Sequence, residues 1–169
     1  MTKKVIDLIL ARRSIRKYTK EPVSEEDTKA LLDAAMAAPS ASNRKPWHFI
    51  TITDRPTLNA LAQVKSAANM LEQAPLCLVV CGDETISEGY WVQDCSAATE
   101  NILLAVTALG LGAVWIGIHP IAERINPVKE ILGIPKDIVP LCLIAIGHPA
   151  EEKEPRTQYD ASRVRREKW

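Results

Sequence analysis

Between Ser87 and Leu109 the chain reads as one long helix. Its positions Trp91, Cys95, Ala98, Ile102, Ala105 and Leu109 recur in steps of four and three, and Gly110 follows where a left-handed cap belongs. The stretch from Ile102 to Leu109 is apolar almost all round, and Ala97, Ala98, Ala105 and Ala108 permit close approach of another backbone. Such a helix is predicted to be central to the fold or to lie at an interface.

The flanking segments supply what could cover it. Leu76 to Cys81 is a continuous apolar run between Pro75 and Gly82-Asp83, too short for a typical helix and suited to a strand buried on both faces. Ala113 to Ile118 and Leu141 to Ile146 read the same way, and Trp47 to Thr53 is rich in β-branched and aromatic residues. Val5, Leu8 and Ile9 form the apolar face of a first helix that runs into the basic turn 12–17. Ser24 with Asp27 three residues on reads as the cap of a second helix, continued by Leu31, Leu32, Ala35 and Ala38 and stopped by Pro39. A third opens near Pro56 with Leu58, Leu61 and Val64 on one side and ends before Pro75. Asn126-Pro127 and Gly133 frame a short fourth. From Ala150 onward the chain is charged and interrupted by proline, with too few apolar residues to form a core. No repeat or linker divides the 169 residues, so residues 1–169 are expected to form a single domain.

Twenty-one Lys and Arg balance twenty-one Asp and Glu, which argues against a general nucleic-acid or anionic-membrane binder and makes any anion site local. No apolar run reaches the roughly 18 residues of a membrane span, and the N-terminal segment is amphipathic, so a cytoplasmic protein is expected. Cys77, Cys81, Cys95 and Cys142 lie in apolar stretches without metal-ligand spacing and read as buried reduced thiols, with no metal site expected. No nucleophile elbow, zinc-binding helix or phosphate loop is present. Gly110-Leu111-Gly112 has Trp115 where a dinucleotide fingerprint needs its third glycine, and it leads from helix to strand. His48, His119 and His148 are far apart, and no histidine triad is arguable.

The densest polar cluster is Arg12-Arg13-Ser14-Ile15-Arg16 at the end of the first helix. Cations there complement the negative end of the helix dipole without any ligand. Alternatively, planar guanidiniums grip phosphate oxygens through paired donors and Ser14 adds a neutral hydrogen bond. A helix C-terminus repels anions, so in that reading the side chains supply all the attraction.

This turn, the run from Ala38 to Trp47 through Pro39-Ser40-Ala41-Ser42-Asn43 and Pro46, the segment from Gly110 to Gly117, and the ending Gly147-x-Pro149-Ala150-Glu151-Glu152-Lys153 together resemble the FMN-dependent nitroreductase family, in its compact members. The resemblance covers nearly the whole chain. It implies an α+β fold with helices around a central mixed β-sheet, in an intertwined homodimer whose two flavin sites lie at the subunit interface. The tail, from about 150 to 169, would pack on the partner subunit.

The resemblance carries phosphate binding onto Arg12 and Ser14, and onto Arg163 in the tail, where Arg165 or Arg166 could substitute. Ala161 stands where some larger relatives have a lysine that also meets phosphate. Arg16 would sit beside the pyrimidine edge of the flavin, where a fixed cation favours the reduced anionic ring. Arg13 would contribute through its backbone. Pro39, Ser40, Ala41 and Asn43 would reach the ring from the opposite subunit, and Asn69 matches another ring-contacting amide. Trp115, Ile116 and Gly117 fall where the family presents backbone amide and apolar surface to N5 of the ring, and Gly117 permits the close approach.

What the resemblance implies is a flavoenzyme working in two half-reactions: NAD(P)H reduces bound FMN, departs, and a small organic acceptor of nitroaromatic or quinone type takes its place. No side-chain acid, base or nucleophile is required, because the cofactor carries the chemistry. Related folds also carry reductive dehalogenation and enone reduction. Two alternatives are an FMN-holding protein with little turnover and an interaction protein whose basic tail, from Arg163 to Lys168, binds acidic partners.

Overall fold

The computed structural model describes residues 2–169. Nine regular elements follow one another: α1 (Thr2–Ala11), α2 (Glu25–Met36), β1 (Trp47–Ile52), α3 (Arg55–Ala62), β2 (Leu76–Asp83), α4 (Trp91–Ala108), β3 (Gly112–Gly117), α5 (Ala122–Leu132) and β4 (Ile138–Gly147). Short 3-10 turns occupy Ala41–Asn43, Ser66–Glu72 and Ala161–Arg163. The sheet order is β1-β2-β4-β3 with every neighbouring pair antiparallel. The four strands themselves are therefore not mixed; the one parallel contact is an isolated bridge from Ser14, outside the strands, to Ala113 on the outer edge of β3.

The continuous apolar runs of β2 and β4 follow from helices on both faces of the sheet. Cys77, Val79 and Cys81 of β2 and Leu143 and Ala145 of β4 pack with Leu58 and Leu61 of α3 and Val128 of α5. Leu76, Leu78 and Val80, with Cys142, Ile144 and Ile146, pack against Leu31 and Ala35 of α2 and Cys95, Ala98 and Ile102 of α4. Alternation of period two thus divides each strand between two cores. Each fully buried leucine or isoleucine contributes about 1.5–3 kcal/mol.

The helix ends follow local chemistry. Ser24 caps α2, its Oγ accepting the Asp27 N–H at 2.9 Å, and Asp54 caps α3 by accepting the Thr57 N–H at 2.9 Å. Gly110, with φ of 72°, follows the end of α4. Two boundaries differ from the sequence reading. The long helix begins at Trp91, not Ser87, because residues 84–90 form turns and the Ser87 hydroxyl instead donates to Asp94. The helix expected to start at Asn126-Pro127 begins at Ala122 and carries Pro127 inside it. Pro127 is the sixth of the eleven residues, past the first turn, so it forfeits the N–H bond to the Glu123 carbonyl and its ring crowds that carbonyl, a cost the packing of α5 on the sheet offsets. No helix among the described residues is long and apolar enough to cross a membrane.

Candidate functional site

The basic turn is pinned at its centre. Ile15 is buried, its N–H donates to the Ala113 carbonyl at 2.8 Å, and its own carbonyl accepts the Tyr18 hydroxyl at 2.6 Å. The same hydroxyl reaches the Ala145 carbonyl at 3.1 Å, and burial pushes its pKa above the ordinary tyrosine value. Gly112 faces Ile15 so closely that a Cβ there would lie 2.7 Å from Ile15 Cγ2. With Ile15 held inward, Ser14 stands half-buried and Arg16 exposed on either side of it.

The segment after β4 then runs back along this turn. Thr19 N–H donates to the His148 carbonyl at 2.9 Å, Ala150 N–H to the Lys17 carbonyl at 2.9 Å, and Arg156 N–H to the Leu10 carbonyl at 3.1 Å. Between these ties, Glu151 Oε1 accepts the Arg16 N–H at 2.6 Å, and Lys153 Nζ donates to the Ser14 carbonyl at 2.6 Å. The Arg13 guanidinium donates to the Glu154 carbonyl. Glu151 and Lys153 also pair with each other at 3.3 Å. The Arg16 amide, foremost, and Lys153 hold the Glu151 carboxyl below the ordinary carboxylate range.

Arg16, Lys17, Asn69, Met70, Gln73, Glu151 and Lys153 line a cavity of about 490 Å³. Two of the sequence-nominated residues, Arg16 and Asn69, therefore share one wall although 53 positions separate them. Among the described residues no protein group pairs with the Arg16 guanidinium. Arg12 reaches Glu100 of α4 at 3.8 Å, with both side chains substantially exposed. Such a pair contributes about 0–1 kcal/mol, so an anion could displace it.

The run 39–45 forms a separate, tightly turned loop. Ser42, Asn43 and Lys45 all have left-handed backbones, with φ of 50°, 55° and 52°. For residues other than glycine this is uncommon and costs energy that the surroundings must offset. The offset is visible: Asp94 Oδ1 accepts the Ala41 N–H at 2.9 Å and Ser40 Oγ accepts the Lys45 N–H at 3.0 Å. Asp94 is itself buried and accepts the Ser87 hydroxyl at 3.0 Å. Pro39 and Asn43 are exposed, Ser40 and Ala41 half-buried, and none of the four lines the Arg16 cavity of its own chain.

β3 is an edge strand, and the carbonyl of Ala113 points outward to Ile15. In an antiparallel ladder both backbone groups of a residue point to the same side, alternating along the strand. Trp115 and Gly117 therefore turn their N–H and C=O groups to that same outer edge, whereas Ile116 faces β4. The side chain of Ile116 is committed to the core, so only Trp115 and Gly117 offer groups outward, the Gly117 carbonyl accepting from the Arg124 guanidinium at 3.5 Å. A Cβ built on Gly117 would meet no atom of the chain within 4 Å, and its φ is not left-handed. Neither packing nor conformation within this chain requires glycine there; the space in front of it is open to a group from outside.

Arg163 lies apart from these residues, in an exposed turn where its Nε donates to Asp160 at 3.2 Å. The whole stretch 154–169 is exposed, with Trp169 fully so. His119 stacks edge-on against Trp91 at 4.8 Å between ring centroids, and burial lowers its pKa.

Asp94, Gln73, Glu151 and Lys153 carry site geometry that the sequence reading assigned to none of them. A carboxylate three residues after Trp91 and four before Ala98, on the apolar stripe of α4, is the signal that could have marked Asp94. Glu151 and Lys153 are two apart in an extended segment and so share one side, but only the fold reveals what that side meets.

Comparison with known proteins places the chain. The Nitroreductase family model matches residues 9–67 and 56–148. A protein of Archaeoglobus fulgidus with the provisional name NADH dehydrogenase/NAD(P)H nitroreductase is 45% identical, over 97% of this chain and 98% of the relative. A crystal structure from Parabacteroides distasonis under the same provisional name superposes with a TM-score of 0.96 at 40% identity, covering 98% of this chain and 99% of the other. A provisionally named nitroreductase of Desulfovibrio desulfuricans, solved in complex with FMN, superposes with a TM-score of 0.84 at 34% identity over 98% and 97% of the two chains. Taken with the helix-covered sheet and the basic turn beside its open edge, these matches establish that the chain belongs to the nitroreductase family.

Proposed function

We propose that two copies of this chain form an FMN-dependent oxidoreductase that takes electrons from NAD(P)H and passes them to a small organic acceptor of nitroaromatic or quinone type. The observation that carries this reading is the unpaired Arg16 guanidinium, sharing a cavity with Asn69 and following directly on Arg12 and Ser14. FMN fits the residues: guanidinium and hydroxyl for the phosphate, a free cation and amides for the pyrimidine edge, and an open edge at Gly117. Bound FMN would supply a two-electron carrier at its N5 position.

In this reading Arg12 and Ser14 bind the phosphate, joined by Arg163 from the tail, with Arg13 contributing backbone. Arg16 orients the pyrimidine edge and stabilises negative charge there, and Asn69 hydrogen-bonds the ring. Trp115 and Gly117 direct backbone groups toward N5, with Ile116 holding the strand in register. Pro39, Ser40, Ala41 and Asn43 of the partner subunit close over the ring.

The second copy is supported by exposed apolar surface. Val5, Ile6 and Ile9 form one stripe on α1, and Tyr159 and Trp169 stand out on the tail. The domain is the whole chain, 1–169, working in the cytoplasm without nucleic acid or membrane; residues 150–156 are tied to the basic turn and first helix of their own chain, so the segment on the partner begins after Arg156 and not at about 150 as the resemblance implies.

The colour of the purified protein and the mass of the acid-released cofactor test the reading; yellow protein releasing FMN is expected. NADH or NADPH should bleach it rapidly, and a quinone or nitroaromatic should restore the colour. Slow bleaching by both donors would favour a flavin-holding protein. Deleting residues 161–169 should abolish both dimer and cofactor; an intact, colourless domain in both full-length and truncated forms would favour the interaction reading.

A further inference from the structure

The Arg16 cavity contains one carboxylate, and its placement is unexpected for a site meant to hold a ring that gains negative charge on reduction. Glu151 could neutralise Arg16 by pairing with its guanidinium. It instead accepts the backbone N–H of Arg16 at 2.6 Å, and its charge is met by Lys153 at 3.3 Å. Lys153 in turn donates to the carbonyl of Ser14 at 2.6 Å. One ion pair thus grips the backbone on both sides of the buried Ile15 while the side chains of Ser14 and Arg16 make no bond to it. The cavity keeps three cations, Arg16, Lys17 and Lys153, against the single carboxylate.

We infer that Glu151 and Lys153 are positioning residues for the flavin site: Glu151 fixes the Arg16 backbone without consuming its guanidinium, and Lys153 offsets the Glu151 charge so that the field at the ring stays positive. This rests on the flavin reading of the cavity. Both side chains are only about a fifth to a quarter exposed, 20% for Glu151 and 25% for Lys153, so solvent screens the pair incompletely. Two opposite charges set the field, so removing them must move the flavin potential in opposite directions. A purely structural brace would not do this, since loosening it from either end gives the same kind of damage.

The test uses the holoprotein with E151Q and K153M, measuring FMN affinity by flavin fluorescence and the midpoint potential by equilibration with a redox dye. In E151Q the amide oxygen can still accept the Arg16 N–H while the negative charge is gone, so the potential should rise. In K153M the carboxylate is left uncompensated, so the potential should fall. FMN affinity should drop by less than about tenfold in each, one charge-assisted bond being altered and not the phosphate grip. K153R should return the potential to the wild-type value, and the double variant should lie between the two single ones. Shifts of the same sign, or no shift in either, overturn the inference while leaving the flavin site standing. Should either single variant fail to fold, the double variant and K153R still decide: a large shift in K153R, or a double variant more displaced than the foldable single, overturns it. A wild-type protein that binds no FMN overturns the flavin reading itself, and this inference with it.

Discussion

The buried carboxylate of Asp94, on the first turn of α4, accepts the backbone N–H of Ala41 at 2.9 Å across 53 residues of sequence. It ties the left-handed loop 42–45 to α4, and it also accepts the Ser87 hydroxyl. Replacing Asp94 by Ala leaves an N–H and a buried hydroxyl without partners, at a cost of about 1.5–3 kcal/mol. D94N keeps a carbonyl oxygen for Ala41 and should lose less. Denaturant titration checks the stability difference, and FMN affinity checks whether the loop serves the site; equal stability of D94A and wild type would refute the bracing role.

Gly112 and Gly117 stand at opposite ends of β3 and should respond oppositely to a methyl group. G112A forces a Cβ to within 2.7 Å of Ile15 Cγ2, a branched side chain in the core, and should destabilise the fold by about 1–3 kcal/mol. G117A meets open space within the chain, so its melting temperature without cofactor should match wild type. FMN retention in G117A should nevertheless fall, because the methyl group occupies the approach to the strand edge. Full retention would place the flavin ring elsewhere.

Arg12 and Arg16 are expected to divide binding from electronics. R12A removes a charge-assisted phosphate contact, about 1.5–3 kcal/mol, and should weaken FMN affinity by tenfold or more. R16A removes one of the three cations of the cavity and should lower the flavin potential with less loss of affinity. An R12A protein that retains FMN as tightly as wild type would contradict the phosphate assignment, and a wild-type potential in R16A would contradict the electronic one.

The four thiols should be silent in the native protein. Cys77, Cys81, Cys95 and Cys142 are all free and fully buried. Burial pushes Cys77, Cys81 and Cys95 up to about 12 and Cys142 higher still. The reactive thiolate is therefore scarce at neutral pH as well as inaccessible. A chromogenic disulfide reagent should detect no fast-reacting thiol in native protein and four in denaturant; any rapidly reacting native thiol would show that the core opens.

Much of the architecture follows from patterns that local chemistry imposes. The runs at 76–81 and 141–146 had to be covered strands, because no isolated surface strand sustains six apolar residues in a row. Ser24, Pro56 and Gly110 marked helix ends, because capping and left-handed φ depend on neighbours a few residues away. The clustering of Arg12, Ser14 and Arg16 was likewise legible, since adjacency in sequence guarantees adjacency in space. Pairings across the chain were not. The antiparallel order β1-β2-β4-β3, the meeting of Arg16 with Asn69, and the carboxylates Asp94 and Glu151 aimed at backbone N–H groups depend on which apolar faces bury together. That is decided by packing over the whole fold: side-chain type fixes what a residue can bond, and tertiary structure alone fixes what it meets.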